Sequence, residues 1–429
     1  MRIFLNKIID WLIIIFLFLL PWQTRWIWQL GEINGAPWEY GTYSIYGTEI
    51  LLWLIVILFA FYKLRHKEFW KKITSTEHFQ THKNYLFFAG GFILFLVIAI
   101  WHSRDIWLSY NYVFYLLGAL CLFLIITENF SSKFLWAIWS GGVMQGLLAF
   151  GQFSNQLIIG NKWLGIATHD PSDLGVAVIE FGNERWLRAY GSFGWPNSLG
   201  IYLAVLLILG LVMYLRAEKR WLKILLSLGQ VIITIGLVLS FSRTAWLAAA
   251  SGFILLVVLQ IRKSNYLNFL KQIIFISLPI VILFIIFQPL FFTRFNLSDR
   301  LEARSVGERI SQYIEFQEVF FSHPLLGAGP GAYTLALADL HPQVKAFDLQ
   351  PVHNIYLLIL AEWGIVGAIV WLVVYVFIVG QIGRTNKIFL PVVSVLLIAS
   401  FFDHWSYTLY TGMVLWWVIL GLSVSYRVK

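Results

Sequence analysis

Twelve apolar runs, most close to the ~20 residues needed to cross ~30 Å of hydrocarbon, leave a chain of 429 residues few ways to fold. They lie near 8–22, 46–62, 85–101, 110–127, 134–153, 198–215, 221–239, 245–261, 272–292, 355–379, 388–402 and 407–425. Hydrocarbon offers no water to backbone N–H and C=O groups, so each run is expected as a helix that satisfies its own hydrogen bonds. With 59% hydrophobic and 12% charged residues, the expectation is an all-α polytopic membrane protein with about twelve transmembrane helices. A soluble domain is excluded. The first run has a basic start, Arg2 and Lys7, but Leu20-Pro21-Trp22 offers no small-residue cleavage site, so it reads as a retained helix. The only cysteine, Cys121, falls inside a predicted span, which rules out an internal disulfide.

Orientation follows from where Lys and Arg fall. If the N-terminus is cytoplasmic, that side receives Arg2, Lys7, Lys63, Arg65, Lys67, Lys71, Lys72, Lys83 and Lys133. It also receives Arg216, Lys219, Arg220, Lys223, Arg262, Lys263, Lys271, Arg384, Lys387, Arg427 and Lys429. The short loops opposite hold Arg25, Arg104 and Arg243. Both termini are therefore expected in the cytoplasm, in the inner membrane. The net charge of +9 is mostly this topology signal, which argues for a lipid bilayer and against nucleic acid as partner.

Five segments are expected: helices one to five over 1–153, an extracytoplasmic loop over 154–197, helices six to nine over 198–292, a large extracytoplasmic loop over 293–354, and helices ten to twelve over 355–429. In the first loop, Gly182-Asn183 joins two apolar-rich runs and predicts a β-hairpin that carries Arg185 and Arg188 towards Gly191–Asn197. In the second, Ile310, Ile314, Gln317 and Phe321 recur at helical spacing between Ser305 and Ser322, predicting an amphipathic helix near the membrane surface. That helix ends at His323-Pro324, where Gly327, Gly329 and Gly331 turn the chain back.

The residues able to carry chemistry gather around these loops. His353 titrates near ~6.5 when unperturbed and can take a proton from a hydroxyl at neutral pH; alternatively it caps the next helix together with Asn354. Arg243 sits between two spans with almost no loop, a costly place for a cation without a partner. Either it snorkels to lipid phosphates or pairs with a structural acid, or it joins Arg188 in a guanidinium fork for pyrophosphate. For Arg188 on a hairpin, plain solvation is the competing reading. Glu362 in the tenth span needs a partner, for which an ion pair is expected. His323 reads as a helix cap, and Asp403-His404 as a turn or a second acid–base pair. Gly327–Gly331 lacks the Lys-Ser/Thr ending of a P-loop and reads as a turn. No Cys/His/Asp cluster has metal-ligand spacing, so neither a metal nor a cofactor is expected.

Four motifs together resemble the O-antigen ligase family, a group that includes O-antigen polymerases and pilin O-oligosaccharyltransferases. They are His353-Asn354 with Gly364 and Gly367; His323, Pro324, Leu325, Gly327 and Gly329; Ser240, Ser242 and Arg243; and Arg188, Gly191, Phe193, Pro196 and Asn197. One position departs: many members have His before the Pro-Asn pair, and here it is Trp195. The resemblance implies a GT-C-type glycosyltransferase that moves a glycan from undecaprenyl pyrophosphate to an acceptor hydroxyl on a lipid core, protein or surface polymer, outside the cytoplasm, with inversion and without metal. Arg188, Arg243 and, as a third cation, Arg309 would hold the pyrophosphate, His353 would activate the acceptor, and Asn354, Glu362, Gly364, Gly367 and His323 would support them. A polymerase of the same family differs only in its acceptor. A transporter of lipid-linked glycan is the alternative of another class, but it should show repeated halves, and the chain has none.

Overall fold

The computed structural model describes residues 2–65, 91–261, 263, 266–296 and 298–426. The start of the run at 85–101, and Lys67, Lys71, Lys72, Lys83, Arg262, Arg427 and Lys429 of the orientation argument, lie outside the described residues. Helices dominate the rest. In chain order they are α1 Arg2–Leu19, α2 Gly47–Leu64, α3 Gly91–His102, α4 Ile106–Glu128, α5 Ser132–Asn155, α6 Pro196–Arg216, α7 Arg220–Leu239, α8 Arg243–Gln260 and α9 Tyr266–Ile286. They continue as α10 Gln288–Phe295, α11 Arg300–Ser322, α12 Tyr333–Leu340, α13 Ile355–Thr385, α14 Leu390–Ala399, α15 Trp405–Thr408 and α16 Tyr410–Ser425. Eight of the described helices, α2, α4 to α9 and α13, are long and apolar enough to cross a membrane; α3, α16 and the Lys387–Ala399 segment are shorter apolar helices.

Helix α6 is the centre. It is apolar all round, so nearly every side chain from Leu199 to Val212 is buried against α5, α7, α8 and α14. Its crossing with α8 is close because Gly200 sits where a Cβ would lie 2.8 Å from Ala245 Cβ and 2.8 Å from Ser240 Oγ.

The loops carry three antiparallel ribbons. β5 (Val178–Phe181) pairs with β6 (Glu184–Leu187) around Gly182-Asn183, where Gly182 takes φ +59°. Sequence reading missed the ribbons between α1 and α2, where β1 (Arg25–Gln29) pairs with β4 (Tyr43–Tyr46). Inside that loop β2 (Glu32–Ile33) pairs with β3 (Ala36–Pro37) across Asn34-Gly35, both at positive φ as a type I′ turn requires.

The glycines of α13 build a kink. Gly364 has φ +63° and ψ −172°, backbone that essentially only glycine adopts, and the helix breaks there. A break frees carbonyls before it and amides after it, and the 323–331 segment takes them up. Ala328 and Gly329 donate to the carbonyls of Ala361 and Glu362 (2.9 Å each), while Ile365 and Val366 donate to those of Pro324 and Leu325 (2.9 and 3.2 Å). This segment is therefore a strap paired to the helix, more than the simple turn expected of it. Contact is backbone to backbone: a Cβ on Gly364 would lie 2.2 Å from Leu325 O, and one on Gly327 2.2 Å from Glu362 C. Gly367 lets Trp363 pack one turn away.

Among the described residues Glu362 has no ion-pair partner, contrary to expectation. Its carboxylate is buried and accepts from Tyr407 Oη (2.6 Å) and the amides of Gly331 (2.8 Å) and Tyr333 (3.4 Å). The strap meets its need by hydrogen bonds, so no cation is required.

Candidate functional site

Where the two long loops fold onto the ends of α6, α13 and α14, they enclose a cavity of about 550 Å³. Arg188, Asn197, Gln312, His353, Asp403 and His404 all line it. Arg188 and His353, far apart in sequence, thus share one space.

Arg188 reaches the cavity because β6 ends beside the turn between α7 and α8. In that turn Phe241 takes φ +46°, and Ser242 accepts from the amide of Ala245 to cap α8. The carbonyls of Ser240 and Phe241 accept two guanidiniums, Arg188 Nε at 2.8 Å and Arg294 Nε at 3.0 Å. Arg188 Nη2 donates to Asn197 Oδ1 at 2.8 Å. Arg188 is 8% exposed, so the competing reading of a solvated position is set aside: the hairpin folds it inward. Burial and the neighbouring Arg294 pull it down to about 9, still cationic at neutral pH. Both of these acceptors, the carbonyl of Ser240 and the amide oxygen of Asn197, are neutral. A buried cation held by neutral acceptors is short of an anion.

Arg243 has found its acid. Its Nη2 lies 3.0 Å from Glu302, which also pairs with Arg294, and its Nη1 donates to Arg294 O at 3.2 Å. Glu302 comes from the first turn of α11, which begins at Arg300, five residues before the predicted start. Arg309, also on α11, is part-buried within the fields of Asp403, Arg243 and Glu302. Four guanidiniums, those of Arg188, Arg243, Arg294 and Arg309, therefore gather around Glu302 and Asp403, while Glu308, Glu315 and Asp348 also line the cavity.

The two faces of α11 meet different surroundings. Ile310, Ile314 and Phe321 point away from the protein, each more than half exposed, as suits a helix lying against lipid. The opposite stripe, Arg304, Glu308, Ser311, Gln312 and Glu315, lines the cavity. At about 100° per residue, 310 and 312 stand roughly 200° apart. Sequence reading singled out neither Gln312 nor Glu302, although polar residues at 304, 308, 311 and 315 repeat with the helical period.

His353 precedes α13, whose first turn Asn354 caps by accepting from the amides of Tyr356 (3.0 Å) and Leu357 (3.2 Å). The histidine is therefore free of the capping role. Its Nδ1 lies 2.8 Å from Gln312 Oε1, and its ring meets His404 edge to face, centroids 4.9 Å apart. Burial and the neighbouring His404 hold it well below the usual imidazole range, and burial pushes His404 down to about 4, so both rings are neutral at pH 7. Asp403 accepts from the amide of Trp405 at 2.8 Å and lines the same wall.

The other expected residues lie elsewhere. Glu362 faces a separate cavity of about 70 Å³ with Tyr112 and Tyr333. Gly364 and Gly367 serve the kink. His323 closes the C-terminus of α11, with its Nδ1 2.9 Å from Ser322 Oγ and its carbonyl accepting from Gly327. Trp195, where a histidine was expected, sits on the cavity wall at the start of α6. Among the described residues no three His, Cys, Asp or Glu side chains converge to hold a metal ion.

Comparison with curated proteins returns no match. The family model described as O-antigen ligase matches residues 228–372, a stretch that holds Arg243, Arg309, His323, His353, Asn354, Glu362, Gly364 and Gly367. Over that stretch, about a third of its length, this polytopic membrane protein is similar to the O-antigen ligase family.

Proposed function

We propose that the chain transfers a glycan from undecaprenyl pyrophosphate to an acceptor hydroxyl, in the cavity shared by Arg188 and His353. The observation that carries this reading is Arg188 itself: a buried guanidinium with neutral acceptors, in the same cavity as a neutral imidazole. A pyrophosphate supplies the missing negative charge, and guanidinium forks match its oxygens. Arg309 and Arg243 add to the field from the flank, and this field grows in value as charge develops on the leaving group.

In the reaction, His353 takes the proton of the acceptor hydroxyl. The oxygen attacks the anomeric carbon from the face opposite the pyrophosphate, and the carbon–oxygen bond to pyrophosphate breaks with its electron pair. The configuration inverts, and the imidazolium returns its proton to the released pyrophosphate or to water. Twelve spans, a GT-C-type arrangement, cytoplasmic termini and an extracytoplasmic cavity complete the proposal, because the basic residues named above then sit on the cytoplasmic side. A ligase and a polymerase differ here only in which hydroxyl enters.

The test separates binding from chemistry. In lipid nanodiscs, His353→Ala should bind a lipid-pyrophosphate glycan within about twofold of wild type yet transfer it at least ~10²-fold more slowly, the lower end of general-base contributions. Arg188→Ala should show the reverse emphasis, with binding weakened first. Normal transfer by a folded His353→Ala protein removes the base from the scheme.

A further inference from the structure

We infer that Gln312 is a positioning residue that fixes which nitrogen of His353 can accept a proton; the inference rests on the reading of His353 as the base. Gln312 is 6% exposed, on the cavity side of α11. One atom of its amide faces both the backbone N–H of His353, at 3.3 Å, and the ring Nδ1, at 2.8 Å. A backbone N–H only donates, so that atom is the oxygen and not the nitrogen of the amide. An amide oxygen carries no hydrogen. The Nδ1 must therefore bear the ring proton, leaving the lone pair on Nε2 for an incoming hydroxyl.

The second imidazole is fixed in the same sense. Thr408 Oγ1 gives its hydrogen to the carbonyl of His404 (3.2 Å) and so accepts from His404 Nδ1 (2.8 Å). Besides His404, the groups whose charge acts on His353 are Asp403 and Arg309. None of them holds its Nδ1; among the described residues Gln312 does.

An orienting group beside a catalytic imidazole is familiar as a carboxylate, which also stabilises the imidazolium. Here the orienting group is neutral. A carboxylate in the same place would raise the affinity of His353 for its proton and set a negative charge near a pyrophosphate. An amide sets the tautomer without either effect. Because Gln312 rides on a helix whose other face, Ile310 and Ile314, is turned outward, the seating of α11 and the readiness of the base are one geometric fact.

The experiment is nitrogen NMR of the full-length protein, labelled with ¹⁵N-histidine in nanodiscs, with His353→Ala used to assign the signal, alongside transfer kinetics. Wild-type His353 at pH 7 should show a protonated Nδ1 and an unprotonated Nε2. Gln312→Leu should move the proton, wholly or in part, to Nε2 and lower kcat about 10–100-fold, the usual weight of an orienting partner, with KM for the donor unchanged. Gln312→Glu should keep Nδ1 protonated, recover part of kcat and move the acid limb of kcat/KM upward by at least one pH unit. A wild-type His353 protonated at Nε2, or one whose tautomer ignores Gln312→Leu, overturns the inference; if the leucine variant does not fold, the wild-type spectrum and the glutamate variant decide. Should Nδ1 prove protonated through Gln312 while His353→Ala still transfers, the positioning stands and the base assignment falls.

Discussion

Replacing Gly364 by alanine tests whether the strap and the kink are one unit. A residue held at φ +63°, ψ −172° costs about 1–3 kcal/mol when it is not glycine. The new Cβ would also stand 2.2 Å from Leu325 O and 2.3 Å from its carbon, both backbone atoms that cannot rotate away. The strap must then retreat, giving up at least the bonds from Ile365 and Val366 to Pro324 and Leu325, at about 1 kcal/mol each. The sum is roughly 3–5 kcal/mol, or two to four decades in the folded-to-unfolded ratio. Gly380, on the same helix, is the control: a Cβ there meets nothing within 4 Å, and removing a helical glycine is worth up to about 1 kcal/mol in the other direction. Equilibrium unfolding in mixed micelles, followed by far-UV circular dichroism, compares the two. If Gly364→Ala unfolds together with Gly380→Ala, the backbone pairing of strap and helix does not hold the kink.

Two further outcomes follow from the charges. Glu302→Gln leaves Arg243 and Arg294 without their shared carboxylate, which costs up to about 3–5 kcal/mol for a buried pair and less for the part-exposed Arg243; a lowered melting temperature that pyrophosphate restores more than in wild type checks it, and unchanged stability refutes it. His353 and His404 are held below their unfolded value near ~6.5, so folding binds fewer protons. Stability should therefore be intact above pH 6.5 and be lost as pH falls from there towards 4, and kcat/KM should stay flat from pH 8 to below pH 6. A half-maximal kcat/KM at pH 6.5 would show an ordinary, solvated histidine.

Eight of the described helices are long and apolar enough to cross a membrane, and these were legible because helices in lipid satisfy their own backbone, so that length and composition point to them. Asn354 as a cap was legible too, since capping is decided within three residues. The burial of Arg188 was not legible: it depends on the carbonyl of Ser240, 52 residues away, in a turn where Phe241 takes positive φ. Gln312 escaped for a related reason. The stripe of Ile310 and Ile314 drew attention to the lipid face, whereas the polar stripe opposite meets a partner 41 residues on. Asn34-Gly35, by contrast, is a strong local hairpin signal in plain sight, passed over because the apolar runs on either side dominate the reading.

The central claim is that this cavity moves a glycan from a lipid pyrophosphate to a hydroxyl, and purified protein in liposomes tests it most directly. An undecaprenyl-pyrophosphate glycan and candidate acceptors would be supplied without added metal, and undecaprenyl pyrophosphate release, glycan attachment and anomeric configuration would be followed. The account predicts release that requires the acceptor, an inverted linkage, and loss of both in His353→Ala. If no acceptor consumes the donor while the lipid-linked glycan changes leaflet, the protein is a transporter and the account is wrong.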